Sequence, residues 1–87
     1  MKKNNFYISF YEAIRLVMEE DFIAQGEGFP SDFYIEKSDK GFLVLRSSSN
    51  PEYMENAIIS ETGNGGTKYR CFEKPNSEKK LKKLLSK

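Results

Sequence analysis

Between residues 33 and 46 apolar and polar positions alternate on either side of a short polar break. Phe33 and Ile35 fall on one face and Tyr34 and Glu36 on the other; after Ser38, Asp39, Lys40 and Gly41, the positions Phe42, Val44 and Arg46 oppose Leu43 and Leu45. A period of two, with aromatic and β-branched residues in both arms and Gly last in the break, predicts two strands joined by a tight turn. Both faces of this hairpin carry apolar groups, so the sheet is expected to be covered twice. A helix covers one side, and in so short a chain a second subunit is the economical cover for the other.

Upstream the period changes to that of a helix. Phe10, Ala13, Ile14, Val17 and Met18 recur at three-four spacing, which predicts an amphipathic helix running to about Glu20 with Phe10 in the core. Ser9 and Glu12 have the spacing of a capping box, and Ile8 and Ala13 occupy its staple positions. After a sharp turn at Glu20 and Asp21, the apolar run from Phe22 to Gln25 opens a sheet. Two Gly, a Pro and polar residues between Gly26 and Asp32 are loop chemistry, and Phe29 beside Pro30 either packs inward or presents its ring to a ligand.

Downstream, residues Ser47 to Pro51 end the hairpin, Glu52 to Glu55 predict one helical turn, and Asn56 to Ser60 a fourth strand. That strand reads as a second hairpin with Lys68 to Glu73, closed by the Gly-rich stretch Glu61 to Thr67; Gly63, Gly65 and Gly66 match no phosphate-loop pattern. Alternation puts Tyr69 and Cys71 on one face and Arg70 and Phe72 on the other, with Cys71 a small buried hydrophobe rather than a reactive thiol. Ser77 then offers a cap to a lysine-rich stretch in which Leu81, Leu84 and Leu85 form a narrow stripe. The resulting fold class is α+β: an N-terminal helix packed on a small antiparallel sheet of four to five strands, with a short basic C-terminal helix or tail. Residues 1–74 are expected to form a single α+β domain and residues 75–87 a basic amphipathic tail.

Composition narrows the chemistry. Eighty-seven residues allow one domain that buries roughly 60 to 65% of its unfolded surface. There is no His and no Trp, and a single Cys, which sets aside His-based catalysis, zinc sites and an internal disulfide and fits a reducing compartment. No apolar run approaches a membrane span and no signal-type segment follows Met1, so a cytoplasmic protein without a membrane partner is expected. The carboxylates, such as Glu19, Glu20 and Asp21, show no spacing that argues for acid-base work, and no enzyme activity, cofactor or metal is expected. The overall charge of +1 is divided unevenly: residues 1–73 hold 8 Lys/Arg against 12 Asp/Glu, a net of −4, and residues 74–87 hold 6 Lys against 1 Glu, a net of +5. An acidic body repels nucleic acid, so contact with nucleic acid is expected only through the basic tail, which otherwise meets acidic lipid, an acidic partner or its own body.

The order of these elements resembles that of a small phage protein family that includes the Thoeris anti-defence sponges. The resemblance is carried by Ser9 to Met18, by Phe33 to Ile35 with Gly41 to Leu45, by Ile58 to Glu61, and by a last strand from Tyr69 to Lys74, and it covers roughly residues 7–74. It departs from the family where Glu19, Glu20, Asp21 and Phe22 replace a Gly-Lys pair followed by Trp, and where Lys68 and Tyr69 replace Asp-Trp. The resemblance implies an oligomeric host-cytoplasmic protein that sequesters a nucleotide second messenger, a cyclic ADP-ribose derivative or a cyclic oligonucleotide, at subunit interfaces without catalysis.

A nucleotide site needs aromatic faces for bases and cationic or amide donors for phosphates, and the candidates are Phe29, Tyr34, Arg46, Tyr53, Asn64, Thr67 and Arg70. Arg46 and Arg70 are the most useful, because a guanidinium pairs with phosphate through two parallel hydrogen bonds. The acidic body with aromatic positions such as Tyr11 and Tyr53 supports an alternative: an inhibitor or adaptor that binds a host defence protein.

Overall fold

Ser9 starts the first helix as the spacing predicts: its hydroxyl accepts from the Glu12 amide at 3.3 Å, and α1 runs over Phe10–Glu20. Glu12 does not return the contact. Its carboxylate instead takes Arg15, with Nη2 at 2.6 Å and Nε at 3.2 Å, so a side-chain pair one turn along replaces the second half of the capping box. Asp21 closes the helix in the left-handed region (φ 60°, ψ 38°), and its N–H reaches the Leu16 carbonyl. That reversal turns the chain directly into the sheet.

The computed structural model describes residues 6–57, 68–75 and 77–85. Five antiparallel strands follow α1: β1 (Phe22–Gly26), β2 (Phe33–Lys37), β3 (Leu43–Ser47), β4 (Met54–Asn56) and β5 (Tyr69–Glu73), in the spatial order β4-β3-β2-β1-β5, before a second helix, α2 (Glu78–Leu85). The central hairpin pairs Ile35 with Leu45 and Tyr34 with Arg46. Gly41 sits at φ 89°, where only glycine is unstrained, and donates to the Ser38 carbonyl at 2.9 Å, while Ser38 donates to the Phe42 carbonyl at 2.7 Å.

Two features of the second half differ from the sequence reading. The stretch from Glu52 to Glu55 is not a helical turn. Asn50 makes an Asx turn, its side chain accepting from the Glu52 amide and its carbonyl from the Tyr53 amide, and the chain folds back so that Met54 lies opposite Arg46 and Asn56 opposite Val44. Of the strand expected over residues 56–60, residues 58–60 lie outside the described residues, as does the Gly-rich stretch 61–67; β4 itself, Met54–Asn56, does not pair with β5. The two stand at opposite edges of the sheet, because β5 pairs with β1 over its whole length, Phe22 opposite Glu73 to Gly26 opposite Tyr69. Ile8 locks onto the same edge through two backbone hydrogen bonds of 2.8 Å with Tyr69.

Strand alternation divides the core in two. Phe10, Ala13 and Val17 of α1 pack on Ala24, Ile35 and Tyr69, with Leu43, Leu45 and Cys71 at the margin. On the opposite face Ile23, Tyr34 and Phe72 meet Leu81 and Leu85 of α2. The cover expected from a second subunit is thus supplied over this part of the sheet by the chain's own C-terminal helix. Leucines four apart give α2 one apolar stripe, and the stripe is consumed by the sheet, with Leu85 only 2% exposed.

Candidate functional site

An eight-residue helix is about 12 Å long, too short to cover five strands. It shields β1, β2 and β5, and among the described residues no helix covers the same face of β3 and β4. The result is a cleft of about 660 Å³, bordered by Phe42, Val44, Arg46, Met54, Asn56 and Lys74. Its apolar rim is exposed, Phe42 at 63% and Met54 at 58%. Val44 is nearly covered and forms the floor.

An ionic group makes the wall between cleft and helix. Glu36, buried on β2, accepts from Arg46 Nη1 at 2.7 Å through one oxygen and faces Lys74 Nζ at 3.5 Å through the other. Over the whole lining Lys37, Lys40, Arg46 and Lys74 stand against Glu36, Asp39 and Glu55, a net of +1, which suits an anionic ligand. Lys74 is more available than Arg46: its side chain is 36% exposed, against 25% for Arg46. It also lies 4.0 Å from Asp21 and donates to the Lys37 carbonyl at 3.4 Å.

Of the residues proposed from sequence, Tyr34 and Arg46 pair across the hairpin and line one hollow of about 210 Å³ beside α2, whereas Phe29 and Arg70 lie apart from it. Arg46 is in the cleft wall, but Nε donates to the Tyr53 carbonyl at 2.9 Å and Nη2 to the Pro51 carbonyl at 2.8 Å, so it braces the turn between β3 and β4. Arg70, 4% exposed, gives Nε and Nη2 to Gln25 Oε1 at 2.9 and 2.6 Å and Nη2 also to the Leu85 carbonyl at 3.1 Å. Its guanidinium is flanked by the rings of Phe6 and Phe72. Tyr34 is buried beneath α2. Phe29 packs inward, edge to face with Tyr69 at 6.0 Å, over Gly26, where a Cβ would approach its ring to 2.8 Å. Tyr53 stacks obliquely on Phe33 at 5.2 Å and its hydroxyl bonds Glu55. Asn64 and Thr67 lie outside the described residues.

Sequence reasoning missed Gln25 and Lys74 and gave Glu36 no role. Gln25 is 2% exposed, and its amide nitrogen donates to the carbonyls of Ser31 at 3.0 Å and Phe33 at 2.9 Å, tying the loop after β1 to Arg70 and α2. The available signal was a polar residue inside an otherwise apolar strand, which in a folded core must find partners. Among the described residues no cluster of His, Cys, Asp and Glu is arranged to hold a metal ion, and no helix is long and apolar enough to cross a membrane. No known protein family, curated protein or solved structure matches this chain.

Proposed function

We propose that this protein captures a nucleotide-derived small molecule without chemical turnover, and that the ligand enters the cleft over β3 and β4. The observation that supports this reading best is the combination of an exposed aromatic ring, Phe42, with a net positive wall of Arg46, Lys74 and Glu36 around one cleft. A volume of about 660 Å³ falls in the range of small-molecule sites. A base stacks on Phe42 and Met54, and a phosphate meets Lys74, with Asn56 at hand for a hydrogen bond. The resemblance to the phage sponges points to the same ligand class, a cyclic ADP-ribose derivative or a cyclic oligonucleotide.

A thermal-shift panel of cyclic di- and trinucleotides, ADP-ribose and cyclic ADP-ribose derivatives tests the proposal. A ligand at 100 times its dissociation constant adds about 2.7 kcal/mol, worth several degrees in a domain of this size. Phe42→Ala and Lys74→Ala should each abolish the shift while the protein stays folded. A flat panel from folded protein, or an undiminished shift in both variants, would reject the site. The second reading, capture of a host defence protein, is favoured by the exposed rings of Tyr7 and Tyr11, 66% and 62% exposed. Tyr7→Ala with Tyr11→Ala would then weaken partner retention in pull-down and leave nucleotide shifts untouched.

A further inference from the structure

The division of charge along the chain becomes a division in space. Glu12, Glu19, Glu20 and Asp21 sit on α1 or at its end, and α2 lies on the other side of the sheet. Lys79, Lys80, Lys82 and Lys83 are all exposed on α2. At 100° per residue these four positions fall on the arc opposite Leu81, Leu84 and Leu85. Since Leu81 and Leu85 are buried against Ile23 and Tyr34, the lysine arc faces outward.

This arc is held in place. Ser77 Oγ accepts from the Lys80 amide at 3.3 Å at the start of the helix, and Arg70 binds the Leu85 carbonyl at its end. Among the described residues none of the four lysines is engaged in an ion pair or a side-chain hydrogen bond. Two layer spacings of roughly 10 Å separate the lysines from the acids on α1, more than the Debye length of about 8 Å at physiological salt. The acids of α1 therefore do not cancel the field of α2 at its own surface.

We propose that the outer face of α2 binds the phosphate backbone of nucleic acid, without base specificity. Over its length of about 12 Å a duplex presents about seven phosphate charges, enough to engage all four lysines. Lysine is a hydrated point charge on a flexible stem, suited to a phosphate at any rotation rather than to one fixed geometry. Lys82 and Lys83 also border a hollow of about 410 Å³ with Ser31, Ser48 and Ser49, which gives the strand room beside the helix. Asp32 lines the same hollow, its Oδ2 accepting from the hydroxyls of Ser47 and Ser49, which hold it in the charged form, so its charge offsets part of that of Lys82 and Lys83 there and the phosphate path runs along the outer arc of the helix. Membrane attachment fits the same surface less well, because Leu81 and Leu85, which would insert into lipid, are turned into the core.

Fluorescence anisotropy of a labelled 20-base-pair DNA duplex, titrated with the full chain from 25 to 200 mM salt, tests the proposal. Engagement of four lysines gives a plot of log affinity against log salt with a slope of about −3 to −4, so affinity falls about 100-fold between 50 and 200 mM. Replacing Lys79, Lys80, Lys82 and Lys83 together by Gln should abolish binding, and Lys83→Gln alone should lower the slope by about one. Two unrelated duplex sequences should bind alike, and vesicles with 30% anionic lipid should bind more weakly than the duplex. Absence of binding at 25 mM salt, an unchanged slope in Lys83→Gln, or preference for the vesicles would overturn it.

Discussion

Arg70 on β5 and Gln25 on β1 face each other across the sheet, and the guanidinium places Nε and Nη2 on the same amide oxygen, at 2.9 and 2.6 Å. The pair is a relay. Gln25 holds the Ser31 and Phe33 carbonyls with its nitrogen, and Arg70 holds the last turn of α2 through the Leu85 carbonyl. One buried polar contact thus connects the loop after β1 to the C-terminal helix.

Arg70→Ala should accordingly undock α2 as well as weaken the sheet. It removes hydrogen bonds to a charged group and leaves the Gln25 oxygen buried without a donor, a loss of about 3 kcal/mol or more. Arg70→Lys keeps the charge but not the fork and should recover only part of that. Chemical denaturation gives the stability, and limited trypsin digestion reports on α2 through its lysines. A midpoint equal to wild type with α2 still protected would show that the relay contributes little.

Tyr69 is the opposite case. Its ring is fully buried against Phe10 and Phe29, yet among the described residues its hydroxyl has no hydrogen-bond partner, and burial raises its pKa. A buried hydroxyl without a partner costs free energy that a phenyl ring does not. Tyr69→Phe should therefore stabilise the protein by about 1 kcal/mol, or roughly 4 to 8 °C in midpoint for a domain of this size. A lower midpoint in calorimetry would mean that the hydroxyl is satisfied.

Burial also governs Cys71. Desolvation, with a smaller push from the Glu12 charge, raises its thiol to about 11. The folded protein then holds its proton where the unfolded chain releases it, so the contribution to stability is complete below about pH 9 and is lost as pH rises through 11. At pH 8 the native thiol should react with a disulfide reagent far more slowly than the same thiol in denaturant. Equal rates in the two states would contradict that burial.

The architecture was legible where local chemistry and global packing agree. Period-two alternation from Phe33 to Arg46 gave the central hairpin and the face of each residue, and the Ser9 cap and Glu20 stop gave α1. Strand pairing at the edges was not legible. Nothing local tells β5 to pair with β1 rather than with the strand before it, because that choice is made by contacts distant in sequence. The site was obscured for a related reason. Arg46 and Arg70 have the chemistry of phosphate ligands, but the same donors satisfy buried carbonyls and amides, and only the fold shows which use each serves. Lys74 is an ordinary surface lysine in sequence and becomes part of a wall only because Glu36 is buried beside it.

Glu36 supplies the sharpest separation of stability from binding. Its carboxylate neutralises part of the charge of Arg46 and Lys74 at 2.7 and 3.5 Å. Glu36→Gln keeps the size and a hydrogen-bond acceptor for Arg46 but removes the counter-charge of Arg46 and leaves Lys74 only Asp21, 4.0 Å away, so the folded state should lose about 1 to 3 kcal/mol. The same change makes the cleft wall more positive. If an anionic nucleotide occupies the cleft, its affinity should rise about tenfold, corresponding to about 1.4 kcal/mol, and the gain should shrink with added salt. Calorimetric titration beside a denaturation curve separates the two effects. Weaker nucleotide binding by a folded Glu36→Gln protein would mean that the carboxylate itself contacts the ligand, or that the ligand binds away from this wall.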